Sequence, residues 1–99
     1  MTRFRVVRYT TNPQARDENA QLVSEVYAAL AETQPEGLRY ATLLLADEDT
    51  FIHIAAQDGS DNPLPRLPAF QDFQRDLDSR VLAAPDARSA MLIGNYRLL

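Results

Sequence analysis

Leu43, Leu44 and Leu45 stand side by side in this chain, as do Ile52-His53-Ile54-Ala55 and Met91-Leu92-Ile93. Each run lies in a segment of strand-forming composition, and neighbouring side chains of a strand point to opposite faces of its sheet. A sheet with one wet face alternates apolar and polar residues. Consecutive apolar positions therefore require both faces to be largely dry. With 99 residues the chain has helix enough to cover one face. A second copy of the chain is the simplest cover for the other, so a homodimer is expected.

The order of the segments narrows the architecture. Residues 3–11 (RFRVVRYTT) read as a strand. Asn12 suits a helix N-cap and Pro13 the first helical position, while Asp17 and Glu18 favour the helix dipole. A helix to about Glu32 carries the stripe Ala15, Leu22, Val23, Val26, Tyr27 and Leu30, spaced for one face of a 3.6-residue period. Asn19 falls inside that stripe, and Pro35 and Gly37 close the region. Residues 38–46 and 50–57 form two further strands, joined as a hairpin by Asp47-Glu48-Asp49. That turn holds no glycine, so neither its loop length nor the register across it follows from sequence. After a polar, proline-spaced loop at 58–66, Pro68 opens a second helix with Phe70, Phe73, Leu77 and Val81 on one side. Residues 83–86 break it, and residues 90–98 (AMLIGNYRL) read as the last strand. The reading is a single α+β domain over residues 1–99, ferredoxin-like in its βαββαβ order. It predicts a four-stranded antiparallel sheet with two helices on one face.

Composition removes several chemistries. The chain has no cysteine, which excludes disulfides, thiolate metal sites and cysteine nucleophiles. All ten basic residues are arginine, so a Schiff-base lysine is excluded as well. One histidine cannot build a multi-histidine metal site. There is no Gly-rich phosphate loop, nucleophile elbow or HExxH, and no cofactor is expected. A net charge of −4 argues against nucleic acid as a partner. No apolar run approaches the roughly 20 residues of a membrane span, so no membrane partner is expected. Residues 1–5 lead straight into a strand pattern without the apolar stretch of a signal peptide, which makes the cytoplasm the expected location.

On these elements the chain resembles the dimeric α+β barrel superfamily, which includes the antibiotic-biosynthesis monooxygenase-like proteins and small members of unassigned function. The segments that carry the resemblance are Leu38-Arg39-Tyr40-Ala41-Thr42, Phe51-Ile52-His53-Ile54 and Asn62-Pro63-Leu64 with Pro68-Ala69-Phe70-Gln71-Asp72-Phe73. It implies two ferredoxin-like sheets closing into a barrel, with ligands held between sheet and helices. It also implies an activity: cofactor-independent monooxygenation of a small aromatic or polyketide-like substrate. The alternative is a non-catalytic dimeric module that binds a small apolar or aromatic ligand, or simply assembles. Haem degradation fits poorly, because the chain has no tryptophan and no histidine on a helix.

Few residues could carry such chemistry. His53, mid-strand among apolar neighbours, is the candidate catalytic base or hydrogen-bond donor; the competing reading is a half-buried structural histidine. It shares a face with Phe51 and Ala55. Asn19 lines a pocket or sits at the edge of the helix stripe. Tyr9, Tyr27, Tyr40 and Tyr96 each set a hydroxyl on an apolar body. Tyr40, Phe51, Phe70 and Phe73 are candidate ligand contacts, with core packing as the alternative. The acidic turn lacks the pattern of a calcium loop, and no metal residues are assigned. The proline-rich loop could lid a pocket or lie across a partner. Arg3, Arg5 and Arg8 on the first strand either pair with acidic turns of a partner chain or solvate an edge.

Overall fold

A computed structural model describes residues 2–98. Strand β1 (Thr2–Thr10) leads through a short 3-10 turn (Pro13–Ala15) into helix α1 (Arg16–Thr33). The hairpin β2 (Leu38–Leu44) and β3 (Thr50–Asp58) follows. Helices α2 (Pro68–Gln74) and α3 (Leu77–Arg80) and strand β4 (Asp86–Ala90) complete the chain. The strands run antiparallel in the order β2-β3-β1-β4. Each crossover therefore passes over one intervening strand, and the helices pack on one face, which makes the fold the expected ferredoxin-like α+β sheet.

The core lies between the central strands and the helices. Tyr9 of β1 and Phe51 of β3, which are register partners, meet Val23 and Val26 of α1 and Phe73 of α2 there. The buried seam of α1 runs Asn19, Val23, Val26, with Leu30 partly buried beyond it. Spacings of four, three and four put all four on one helix face. Asn19 is thus central to the seam, with no exposed surface; the edge-of-stripe reading is corrected. The Asn12 side chain does not cap α1 but donates from Nδ2 to the Ser79 carbonyl at 3.4 Å.

The hairpin turn replaces glycine with a side chain. The Asp47 carboxylate accepts hydrogen bonds from the Asp49 and Thr50 amides at 3.0 Å and from the Thr50 hydroxyl at 2.7 Å. This closure sets Leu44 opposite Phe51 and Thr42 opposite His53. His53 thereby joins Phe51 on the helix-facing side. The opposite face presents Phe4, Val6, Ile52, Ile54 and Leu43, the apolar surface expected from the runs at 43–45 and 52–55.

Two elements depart from expectation. The second helix does not run unbroken from Pro68 to Val81: Asp76 takes a left-handed conformation (φ 61°) and splits it into α2 and α3. The last strand is Asp86–Ala90, not 90–98. It is polar and exposed, and it owes its extended form to pairing with β1 rather than to its own composition. The apolar stretch beyond it leaves the sheet, with Met91 81%, Ile93 91% and Tyr96 82% exposed.

Candidate active site

Residues directly opposite each other on paired strands share a face. On the helix side β1 therefore presents Arg3, Arg5, Val7 and Tyr9, β3 presents His53, Ala55 and Gln57, and β2 presents Tyr40 and Thr42. Helix α2 and the loop before it stand off from this surface and enclose a cavity of about 570 Å³. Tyr9, Tyr40 and His53 form its inner wall, and Phe70, Phe73 and Leu64 close it from the helix and loop side. The size lies within the range of small-molecule sites. The His53 ring stacks against Tyr9 (centroids 5.3 Å apart) and Tyr40 (5.9 Å), with Phe73 tilted over it at 5.4 Å.

Behind this wall runs a buried hydrogen-bond chain whose direction can be deduced. Arg80 is 3% exposed and makes no ion pair among the described residues. Its guanidinium donates to the carbonyls of Phe73 and Arg75 and, through Nε at 3.0 Å, to Asn19 Oδ1. A guanidinium has no acceptor atom, so the Asn19 atom facing it must be the oxygen. Nδ2 of Asn19 then points at the Tyr9 hydroxyl and donates to it at 2.9 Å. The Tyr9 proton has one acceptor within reach, His53 Nε2 at 2.7 Å, and a buried phenol does not leave its proton unpaired. Nε2 is therefore the bare nitrogen and Nδ1 carries the hydrogen. Nδ1 donates to Thr42 Oγ1 at 2.9 Å, with the Tyr40 hydroxyl beside it at 3.1 Å, and Thr42 is bonded in turn to Tyr27 at 2.7 Å. No buried side-chain polar atom among the described residues lacks a partner.

Burial dominates the electrostatics. Removal from water lowers the His53 pKa from 6.5 to about 4, so the imidazole is neutral at pH 7. Burial pushes the Tyr9 hydroxyl up to about 12, opposed by the Asn19 hydrogen bond and the Arg80 charge, and it raises Tyr40 as well. Arg80 thus leaves the inner wall with a positive field that favours an anion there.

Of the residues singled out from sequence, His53, Tyr40, Phe70 and Phe73 meet on the cavity wall. Asn19 and Phe51 do not: Asn19 bonds Tyr9 from behind, and Phe51 stacks on Tyr9 within the core. Ser60, Asn62 and Pro65 of the proline-rich loop line the cavity. Arg3 and Arg5 reach the same cavity, whereas Arg8, opposite Ile52, lies on the other face. Tyr96 is exposed. Sequence reasoning assigned no role to Arg80 or Thr42. Thr42 is two residues along from Tyr40, and that parity was the available signal. Arg80 had none, since its contact with Asn19 spans 61 positions. Among the described residues no cluster of three His, Cys, Asp or Glu could hold a metal ion, and no helix is long and apolar enough to cross a membrane.

No protein-family model matches the chain, and no curated protein matches it by sequence. Solved structures do match. A presumed antibiotic biosynthesis monooxygenase from Nitrosomonas europaea superposes with a TM-score of 0.76 at 8% identity, covering 93% of this chain and 90% of that one. Rv0793 from Mycobacterium tuberculosis gives 0.72 at 13% identity, covering 96% and 98%. A mutant of SnoaB, a cofactor-independent oxygenase from Streptomyces nogalater, gives 0.69 at 20% identity, covering 97% of each chain. At these identities the likeness is one of fold. The chain has the ferredoxin-like α+β fold of the antibiotic-biosynthesis monooxygenase-like proteins, the group its segments resemble.

Proposed function

We propose that this chain is a cofactor-independent oxygenase of small, electron-rich aromatic or polyketide-like phenols, acting as a homodimer. The observation that carries the reading is the convergence of His53, Tyr9 and Tyr40 on one aromatic-walled cavity, with a buried cation behind them. The fold shared with SnoaB, itself a cofactor-independent oxygenase, supports it.

In such a reaction the substrate is the reductant and dioxygen the oxidant. The phenol proton passes to the Tyr9 oxygen as the Tyr9 proton moves to the bare Nε2 of His53, a transfer within hydrogen-bond reach. Arg80, acting through Asn19, favours the resulting anion. The substrate anion gives one electron to dioxygen, and the radical pair joins as a carbon-bound peroxide that recovers the proton from His53. Loss of water from that hydroperoxide breaks the O–O and C–H bonds and leaves a quinone carbonyl. For 1,5-dihydroxynaphthalene the balance is one substrate and one O2 giving 5-hydroxy-1,4-naphthoquinone and one water. His53 is a weak base when the cavity is empty; the substrate anion beside it raises its proton affinity.

Two features support the dimer. The outer sheet face carries the apolar cluster Phe4, Val6, Ile52 and Ile54, and the tail beyond β4 exposes Met91, Ile93, Tyr96 and Leu98. A second copy of the chain would cover both.

The test is oxygen uptake with 1,5-dihydroxynaphthalene. The expected result is catalysed, stoichiometric consumption of O2 that falls at least about hundredfold in His53→Ala, the scale of general acid–base catalysis. Wild-type rates equal to the uncatalysed background with a panel of such phenols would overturn the reading. A non-catalytic binding module is favoured by one observation: both His53 ring nitrogens are already engaged by the protein. It predicts ligand binding without turnover.

A further inference from the structure

The charge lining the cavity is of one sign. The chain carries 14 acidic and 10 basic residues, yet no acidic residue lines the cavity, while Arg3 and Arg5 do. Arg16, Arg39, Arg66, Arg75 and Arg88 each lie within 4 Å of a carboxylate. Arg3 and Arg5 have no such partner among the described residues, although acids outnumber bases in the chain. They sit two residues apart on β1, on the helix-facing side. Their register neighbours there, Gln57 opposite Arg3 and Ser89 opposite Arg5, are neutral hydrogen-bonding groups that also line the cavity. A strand that spends two helix-facing positions on unpaired guanidinium groups beside an aromatic-walled cavity has built an anion site.

We infer that the cavity binds an aromatic carboxylate, its carboxylate held at the mouth by Arg3 and Arg5 and its ring packed against Tyr40, His53 and Phe73. The inference rests on the cavity being the ligand chamber, as proposed above, and adds the chemical class of the ligand. Arg5 lies two positions along β1 from Val7, which is opposite His53. Two strand residues rise about 7 Å, roughly the length of a fused pair of rings. A bicyclic acid can therefore span from the arginines to the His53–Tyr40 wall. A guanidinium fork meets a carboxylate through two parallel hydrogen bonds, which fixes the orientation of the ring as well as its affinity.

The experiment compares 2-naphthoate, its neutral analogue 2-naphthamide and 2-naphthyl phosphate by calorimetric titration of the full chain. The expected result is at least about tenfold tighter binding of naphthoate than of naphthamide near 0.05 M salt, with the gap narrowing near 0.5 M as exposed charges are screened. In the double variant Arg3→Gln/Arg5→Gln the gap closes while naphthamide affinity stays unchanged. Both arginines are exposed, so the fold is not at stake. Equal affinities for acid and amide in the wild type would overturn the inference and leave the chamber reading standing. A naphthoate preference that survives in the double variant would overturn the assignment to these arginines. Tenfold tighter binding of naphthyl phosphate than of naphthoate would replace carboxylate with phosphate. Failure of all three probes to bind at millimolar concentration would overturn the chamber and this inference together.

Discussion

The two faces of the sheet are built from alternate residues of the same strands, and they do opposite things. The helix side of β1 and β3 holds Tyr9, His53, Arg3 and Arg5; the outer side holds Phe4, Val6, Ile52 and Ile54. On the helix side Tyr9 and His53 are buried and bonded to partners far along the chain, while Arg3 and Arg5 stand exposed at the other end of the same face. On the outer side Phe4, Val6, Ile52 and Ile54 are half-buried and make an apolar surface. Because the strand period is two, one backbone keeps a polar, hydrogen-bonded wall and an oily surface apart by the thickness of a single sheet. The inner face is specified by partners within the chain, and the outer face by what must be excluded from water.

Charging the outer face should have the largest effect. In the proposed homodimer Ile54→Asp would place two unpaired carboxylates in a two-fold interface, each costing several kcal/mol, so dimerisation should weaken by about 6 kcal/mol in all. Sedimentation should give a mass of two chains for the wild type and one for the variant, with unchanged circular dichroism. A wild-type mass of one chain at micromolar concentration would erase the contrast between the faces.

Arg80→Ala attacks the inner face. It strands Asn19 Oδ1 and the carbonyls of Phe73 and Arg75 without a donor. A loss of about 4 kcal/mol in urea denaturation is expected from bonds to a charged donor. A change below about 1 kcal/mol, the worth of one ordinary hydrogen bond, would mean that the buried network does not hold that face together.

The third test is pH. The unfolded chain protonates His53 near 6.5, the folded chain only near 4. Between these values the unfolded state binds more protons, so stability falls as pH falls, by about 3 kcal/mol across the window. In His53→Phe that slope should vanish. A wild-type stability flat from pH 6.5 to 4 would show the ring to be wetter than its 4% exposure implies.

Tyr27→Phe should do least, about 1 kcal/mol, since it removes one half-buried hydrogen bond to Thr42. It should leave His53 titration in place, which separates the rim of the network from its centre.

Much of this architecture is legible in the sequence. The stripe of α1, the hairpin and the apolar runs at 43–45 and 52–55 lead to the fold, and His53, Tyr40, Phe70 and Phe73, singled out from sequence, lie together on the cavity wall. The misses have physical causes. For Asn19 the sequence leaves pocket lining and stripe edge as alternatives, because a lone buried amide is costly and the partner that satisfies it, Arg80, is 61 residues away. The apolar composition of residues 90–98 points to the last strand there. The segment that pairs with β1 is instead the polar Asp86–Ala90, chosen by what β1 left unbonded.

By itself the sequence determined the periodicities, and hence which residues travel together: His53 with Phe51 and Ala55, Arg3 with Arg5, Asn19 with Val23 and Val26. Periodicity is local, carried by three or four neighbouring residues, so it survives without a fold. Only the tertiary structure decided which face each set occupies. That choice hung on the Asp47 closure of the hairpin and on contacts between residues 44 and 61 positions apart. Such contacts exist only once the chain has already come together.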